Sequence, residues 1–273
     1  MRLSLAIQTP EVPTTIPVAL LSGGLEEKLG KAAEWGAQGV ELMPSDPVRL
    51  NPIALRSSLT QHGLTAAAVG SGAASLAAGL HLLDNAPDIP ARAAERLDDL
   101  IHFAAAVGAA CVTIGSFRGR VSGSGPAGPR RLADVLHRAA ETAAASGVRL
   151  ALEPLNRYES DFVHTAEEGL AFVRQVDHPA MGLLLDTYHV NIEERSWHEP
   201  FRLLMEAGVL WHVHLGDNNR LPPGQGMIDF AAIVATLRHL GYDGWLSAEL
   251  LAQPDPDRAA RQTLDAMRPL LEH

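Results

Sequence analysis

Strand-like runs alternate with amphipathic helical patterns along the whole of this chain, and that alternation constrains its fold more than any other feature. The strand patterns are LSLAIQ (3–8), GVELM (39–43), LTAAAVG (64–70), CVTIGS (111–116), RLALEPL (149–155), GLLLDTY (182–188), LWHVHLG (210–216) and WLSAEL (245–250). Helical periodicity covers 25–36, 51–62, 90–107, 130–146, 165–176, 198–207, 229–240 and 256–271. Gly36, Gly63, Gly108, Gly147, Gly208 and Gly241 close helices just before the next strand, as C-caps do. Eight β units each followed by an α unit leave few closures once crossovers are right-handed, so a (β/α)8 barrel is expected. The 273 residues suit one such barrel, for which about 250 is typical. No composition break divides residues 1–273, so a single barrel domain is expected.

Composition narrows the function classes. A hydrophobic content of 47% supports a large core and excludes disorder as the main state. The net charge of −10 argues against a nucleic-acid partner, which calls for a basic surface. The single cysteine, Cys111, allows no internal disulfide and reads as a small buried hydrophobe. The start, MRLSLAIQTP, has no long apolar core of a signal peptide, and the small apolar stretch Thr65 to Leu80 is too short and interrupted to span a membrane. A cytoplasmic protein without membrane contact is expected. The oligomeric state stays open, a homo-oligomer included.

The loops after the strands are unequal. Residues 71–89, 116–129 and 217–228 are long and rich in Gly, Ser, Pro or Asn, whereas the helix-to-strand turns are short. That asymmetry puts the active site at the carboxyl face of the barrel. Four polar side chains sit there at the ends of strand patterns: Glu153, Asp186, His214 and Glu249. Strand alternation gives each the inward face, opposite residues such as Leu152, Leu185, Val213 and Leu246 that can pack on helices. Several charges inside a barrel need a counter-ion. Three carboxylates and one imidazole suit a divalent cation such as Mn²⁺ or Mg²⁺, with Co²⁺ a further candidate. His212 shares the face of His214 but lies deeper and reads as a supporting residue. Glu41, inward on the second strand, reads as a partner for a barrel histidine or for substrate. Trp35 and Trp245 read as packing residues, and Phe117 and Trp197 as candidate pocket walls.

At these residues the chain resembles the xylose-isomerase-like (β/α)8 superfamily, and within it the ketose 3-epimerases acting on D-tagatose and D-psicose. The similarity lies in Glu153-Pro-Leu-Asn-Arg-Tyr-Glu159, Asp186-Thr-Tyr-His189, His212-Val-His214-Leu-Gly-Asp-Asn-Asn-Arg220, Pro223-Gly-Gln-Gly226 and Tyr242-Asp-Gly-Trp-Leu-Ser-Ala-Glu249. The resemblance implies that Glu153, Asp186, His214 and Glu249 bind the metal, usually Mn²⁺. It also implies that Glu159, His189 and Arg220 contact a small sugar substrate. Hydroxypyruvate isomerases typically carry glutamine where His214 stands, so the histidine favours the epimerase side.

The chemistry follows from two glutamates around one cation. A polarised ketose carbonyl acidifies the neighbouring C–H, one carboxylate takes that proton, and the other returns it to the opposite face of the enediolate, which inverts the carbon. Glu153 and Glu249 are the candidate catalytic pair. Return to the neighbouring carbon would make an aldose–ketose isomerase, of hydroxypyruvate or sugar-phosphate type, and loss of water would make a dehydratase. The acidic charge and lean ligand set weigh against a phosphodiester hydrolase, and the full residue set against a metal-binding protein without catalysis. Arg118 and Arg120, after the fourth strand, are expected to tune substrate choice. LLAQPDPDR after Glu249 lacks the glycines of the usual phosphate site, which leaves those two arginines as the alternative phosphate ligands.

Overall fold

The computed structural model describes residues 1–122 and 124–272. Its strands are β1 (Arg2–Gln8), β2 (Gly39–Met43), β3 (Thr65–Gly70), β4 (Cys111–Ile114), β5 (Arg149–Leu152), β6 (Met181–Asp186), β7 (Leu210–Leu215) and β8 (Trp245–Ala248). They pair in parallel in chain order, and β8 closes on β1, which makes the (β/α)8 barrel. The eight outer helices, from Leu25–Glu34 to Pro256–Leu271, begin and end within two residues of the spans expected from the sequence. All six helix-closing glycines have positive φ, 82° at Gly108 for example, where a Cβ would be strained.

Strands β4 to β8 end earlier than their hydrophobic patterns, whereas β1 to β3 end with them. β5 and β8 leave the ladder one residue before Glu153 and Glu249, although Glu153 N still donates to Ile114 O at 3.0 Å. Thr187 and Tyr188 are helical rather than extended. The Asp186 carboxylate accepts from Tyr188 N at 2.8 Å and so caps a helix, Thr187–Glu193, at the strand's last residue. A second short helix, Gly72–Leu76, lies in the long segment after β3.

The main core lies between barrel and helices, with Leu5, Val40, Val112, Leu150, Leu183 and Leu246 all fully shielded from water. Inside the barrel is a small-residue cluster of Ala68, Cys111, Ala151 and Leu184. Burial pushes the Cys111 thiol up to about 12, which makes it an inert packing group. Trp245 is buried with the Arg2 guanidinium 4.1 Å from its ring centre, and Trp35 packs against the core. Phe117 is completely buried, so it belongs to the core and not to a pocket wall. Trp197 is likewise packed against the core.

A register shift sets the site's geometry. Leu183 pairs with Leu210 but Leu184 with His212, so Trp211 is the extra residue of a bulge. Gly182 makes room for it, since a Cβ there would meet the indole at 2.7 Å. Beyond the bulge, Asp186 stands beside His214, and His214 beside Ser247.

Candidate metal centre

One ligand atom from each of Glu153, Asp186, His214 and Glu249 falls within 4.8 Å of all the others. Glu153, Asp186 and His214 are buried and Glu249 nearly so. The structure therefore brings together the four residues expected from the sequence. Gly115 leaves space for the group, because a Cβ there would come 2.5 Å from Glu153 Oε2.

Behind the quartet sits Glu41, buried between two imidazoles. Its Oε2 lies 3.0 Å from both His212 Nε2 and His214 Nε2, and Thr113 Oγ1 donates to its Oε1 at 3.0 Å. Burial opposes charge on Glu41, but His214 and His212 outweigh it and hold its pKa well below the usual carboxylate range. An ionised carboxylate only accepts, so both Nε2 atoms carry the proton. That leaves His214 Nδ1 facing Glu249 Oε2 at 3.5 Å and Glu153 Oε1 at 3.7 Å. A carboxylate fixing the tautomer and ring plane of a histidine is the usual support of a metal ligand.

Three buried atoms of the quartet, Glu153 Oε1, Asp186 Oδ2 and His214 Nδ1, have no hydrogen-bond partner. Buried polar atoms are seldom left so, and all three belong to the one cluster. Three anionic oxygen donors and one imidazole nitrogen fit a divalent cation. By themselves, Asp186, Glu153 and His214 hold protons more firmly than usual and Glu249 less firmly. Burial, then the Glu153 charge, pushes Asp186 up to about 7. Burial and Glu249 raise Glu153, whereas for Glu249 the cost of burial is outweighed by His214 and Arg220 and its pKa falls.

An acid whose pKa is raised by folding loses stability as pH rises from its ordinary value to the folded one. For Asp186 that window runs from 3.8 to about 7. His214 acts in the same direction: burial opposes its charge, but Glu41 and Glu249 raise its pKa well above the ordinary value, and that stability too is lost at higher pH. His189, whose pKa is depressed, opposes this below its ordinary value of 6.5, so the Tm of chelator-treated protein should fall between about pH 6.5 and pH 8, and a saturating divalent cation should remove the fall. Differential scanning fluorimetry with and without chelator checks this; a chelated protein that gains stability across the window contradicts it.

The remaining expected residues surround the quartet. Arg220, at the positive φ of 60°, donates from Nη1 to both Glu159 oxygens at 3.0 Å, and its Nη2 lies 3.7 Å from Glu249 Oε2. Its guanidinium sits over Tyr188, 5.0 Å from the ring centre. His189 is buried, and its Nδ1 accepts from the Asn156 side chain at 2.8 Å. That leaves Nε2–H directed at Glu153 Oε1, 3.7 Å away. Burial, with Arg220, Arg118 and His214 adding to it, depresses the His189 pKa well below the usual histidine value, so the ring is neutral. Glu159, Arg220, Glu153, His214 and Glu249 all face one cavity of about 260 Å³.

Two supporting residues escaped the sequence reading. Asn156 orients His189 and also donates to Glu159 Oε1 at 3.0 Å. Asp217, fully buried, accepts from the amides of Asn218, Gly224, Gly226 and Ile228 at 2.8 to 3.0 Å and so fixes the loop that carries Arg220. The signal for Asp217 was the Asp-Asn-Asn start of a Gly/Pro loop, a pattern that favours side-chain to backbone bonds.

Arg118, expected from the sequence to tune substrate choice, is instead fully buried, donating to the carbonyls of Glu153, Phe162 and Val163 and to Ser160 Oγ. Burial depresses its pKa to about 10 despite the nearby Glu153 and Asp161 charges. Arg120 is exposed and lines an adjoining cavity.

The barrel and this site agree with the comparisons to known proteins. A family model described as a xylose isomerase-like TIM barrel matches residues 29–270. The chain belongs to that family. It is 30% identical over 224 residues to a ketose 3-epimerase of Arthrobacter globiformis, covering 81% of this chain and 75% of the relative. It is 30% identical over 254 residues to an L-ribulose 3-epimerase of Methylomonas sp., covering 91% and 86%. Among solved structures, a D-allulose 3-epimerase from Methylomonas sp. superimposes with a TM-score of 0.79 at 26% identity, covering 98% of both chains. Among the described residues no helix is long and apolar enough to cross a membrane.

Proposed function

We propose that this xylose isomerase-like barrel is a divalent-metal-dependent ketose 3-epimerase, with Glu153 and Glu249 as the proton carriers. The observation that carries the reading is the convergence of Glu153, Asp186, His214 and Glu249, of which Glu153, His214 and Glu249 line one cavity. The ketose 3-epimerases among its relatives support the reaction class. Oxygen donors with one imidazole make Mn²⁺ the proposed cation. Bound there, it supplies Lewis-acid polarisation of the ketose carbonyl.

The protein's own groups do the rest. Glu153 and Glu249 approach the cavity from strands three steps apart in the ring, so one removes the C3 proton and the other returns it to the opposite face. Neutral His189, locked by Asn156, presents Nε2–H on the Glu153 side, where it can contact substrate. Arg220, held by Glu159 and Tyr188, brings positive charge to the Glu249 side, where it binds substrate oxygen and steadies the developing oxyanion.

The test is incubation of the Mn²⁺-loaded protein in D₂O with fructose, tagatose, ribulose and xylulose, read by NMR. Epimerisation places deuterium at C3 of the inverted ketose. Label at C1 with formation of aldose identifies an aldose–ketose isomerase, and a deoxy or unsaturated product identifies a dehydratase; either replaces the present reading.

A further inference from the structure

The cavity above the quartet adjoins a second one of about 480 Å³, set between the segments that follow β3, β4 and β5. The two share Leu76, Ser116, Leu155 and Glu159 in their walls, which puts them within reach of one elongated ligand. The outer cavity carries a connected polar chain. Ser116 Oγ donates to Ser75 Oγ at 3.3 Å, Ser75 Oγ lies 3.1 Å from His81 Nε2, and His81 Nδ1 lies 3.5 Å from Asp84 Oδ2. Arg120 also lines this cavity and donates to Glu159 O at 3.1 Å.

The walls are built. Leu82 N and Leu83 N donate to Phe117 O and Arg118 O at 2.9 and 3.0 Å, which stitches the segment after β3 to the one after β4. Val121 N donates to Asp161 Oδ1 at 3.0 Å and Ser122 N to Asp161 Oδ2 at 2.8 Å, which ties the segment after β4 to the one after β5. The Ser75–His81–Asp84 order is that of a hydrolytic relay, but the amides of Ala74, Ser75 and Ala77 are taken up by the local helix and cannot hold an oxyanion.

The lining chemistry selects a ligand class. Asp84 and Glu159 would repel a phosphate, and an apolar group would strip water from the serine and histidine chain without replacing its hydrogen bonds. Four serine hydroxyls, a carboxamide, an imidazole, two carboxylates and a guanidinium suit a neutral polyhydroxylated group. Because the cavities meet at Ser116 and Glu159, such a group would be attached to the end of the ketose remote from the reacting carbons. We propose that the outer cavity is a glycosyl subsite and that the preferred substrate is a ketose carrying a neutral glycosyl group on a distal hydroxyl. This rests on the ketose-epimerase reading above.

The experiment compares fructose, isomaltulose (6-O-glucosyl-fructose) and fructose 6-phosphate with the Mn²⁺-loaded protein, measuring kcat/KM for C3 inversion. Isomaltulose is expected to exceed both others by at least about tenfold. His81→Leu and Arg120→Ala should each lower kcat/KM at least about tenfold more for isomaltulose than for fructose, mainly through KM. Fructose inverted as well as or better than isomaltulose overturns the subsite and leaves the epimerase reading standing. So does an equal loss on both substrates in the two variants. No C3 exchange with any ketose overturns the epimerase reading and the subsite with it.

Discussion

Replacing Glu153 with glutamine is expected to lower turnover by at least about a thousandfold, and Glu249→Gln to do the same. Glutamine keeps the size of each side chain but can neither take the substrate proton nor supply a full anionic donor to the cation. Both residues face the same cavity, and Glu249 touches Arg220 while Glu153 touches His189. Their environments differ, so the two variants should fail in different ways. Each retains one working carboxylate and should still exchange the C3 proton of one epimer with D₂O without inverting it. The epimer that exchanges in Glu153→Gln should be the one that does not in Glu249→Gln. Elemental analysis separates loss of the cation from loss of the base. Near-normal inversion by either variant would end the two-carboxylate mechanism.

Arg118→Met is expected to destabilise the protein by about 3–5 kcal/mol, the scale of breaking a buried charged network, and to lower Tm by roughly 5–15 °C. The guanidinium binds four oxygens on the segment from Glu153 to Val163; methionine removes that shared donor, and although Phe162 O keeps Ser160 Oγ and Val163 O keeps Leu155 N, the buried Glu153 carbonyl loses its side-chain donor. Since one of the four is the carbonyl of Glu153, turnover should fall as well. Arg118→Lys should recover only part of the stability, because one ammonium cannot span the same acceptors. Thermal unfolding of both variants, with cation saturating, decides the matter. A change of under about 1 kcal/mol in Arg118→Met would mean the segment is held by other contacts.

The barrel could be read from the chain because each of its parts is local. Periodicity marks strands and helices, glycine marks the helix ends, and the alternation of residues such as Leu152 and Glu153 tells inside from outside. The quartet followed for the same reason: a charged side chain on the inward face at a strand end has few other uses. Helix Thr187–Glu193 was not legible, since TYH continues a hydrophobic strand pattern and only the Asp186 cap turns it.

What the tertiary structure alone decided is which distant groups meet. Arg118 and Arg120 are two residues apart in one glycine-rich loop, yet one is fully buried and the other exposed, because the acceptors that draw Arg118 inward belong to the segment after β5. Glu41 lies 171 and 173 residues from the imidazoles it orients. The bulge at Trp211 that aligns His214 with Asp186 depends on the missing side chain of Gly182 on the neighbouring strand. The chain of Ser75, His81 and Asp84 faces Arg120 only because the segments after β3 and β4 are joined by backbone bonds. Sequence periodicity reports the face a residue presents; closure of the ring determines what stands opposite, and the burial and charge of those partners set each group's chemistry.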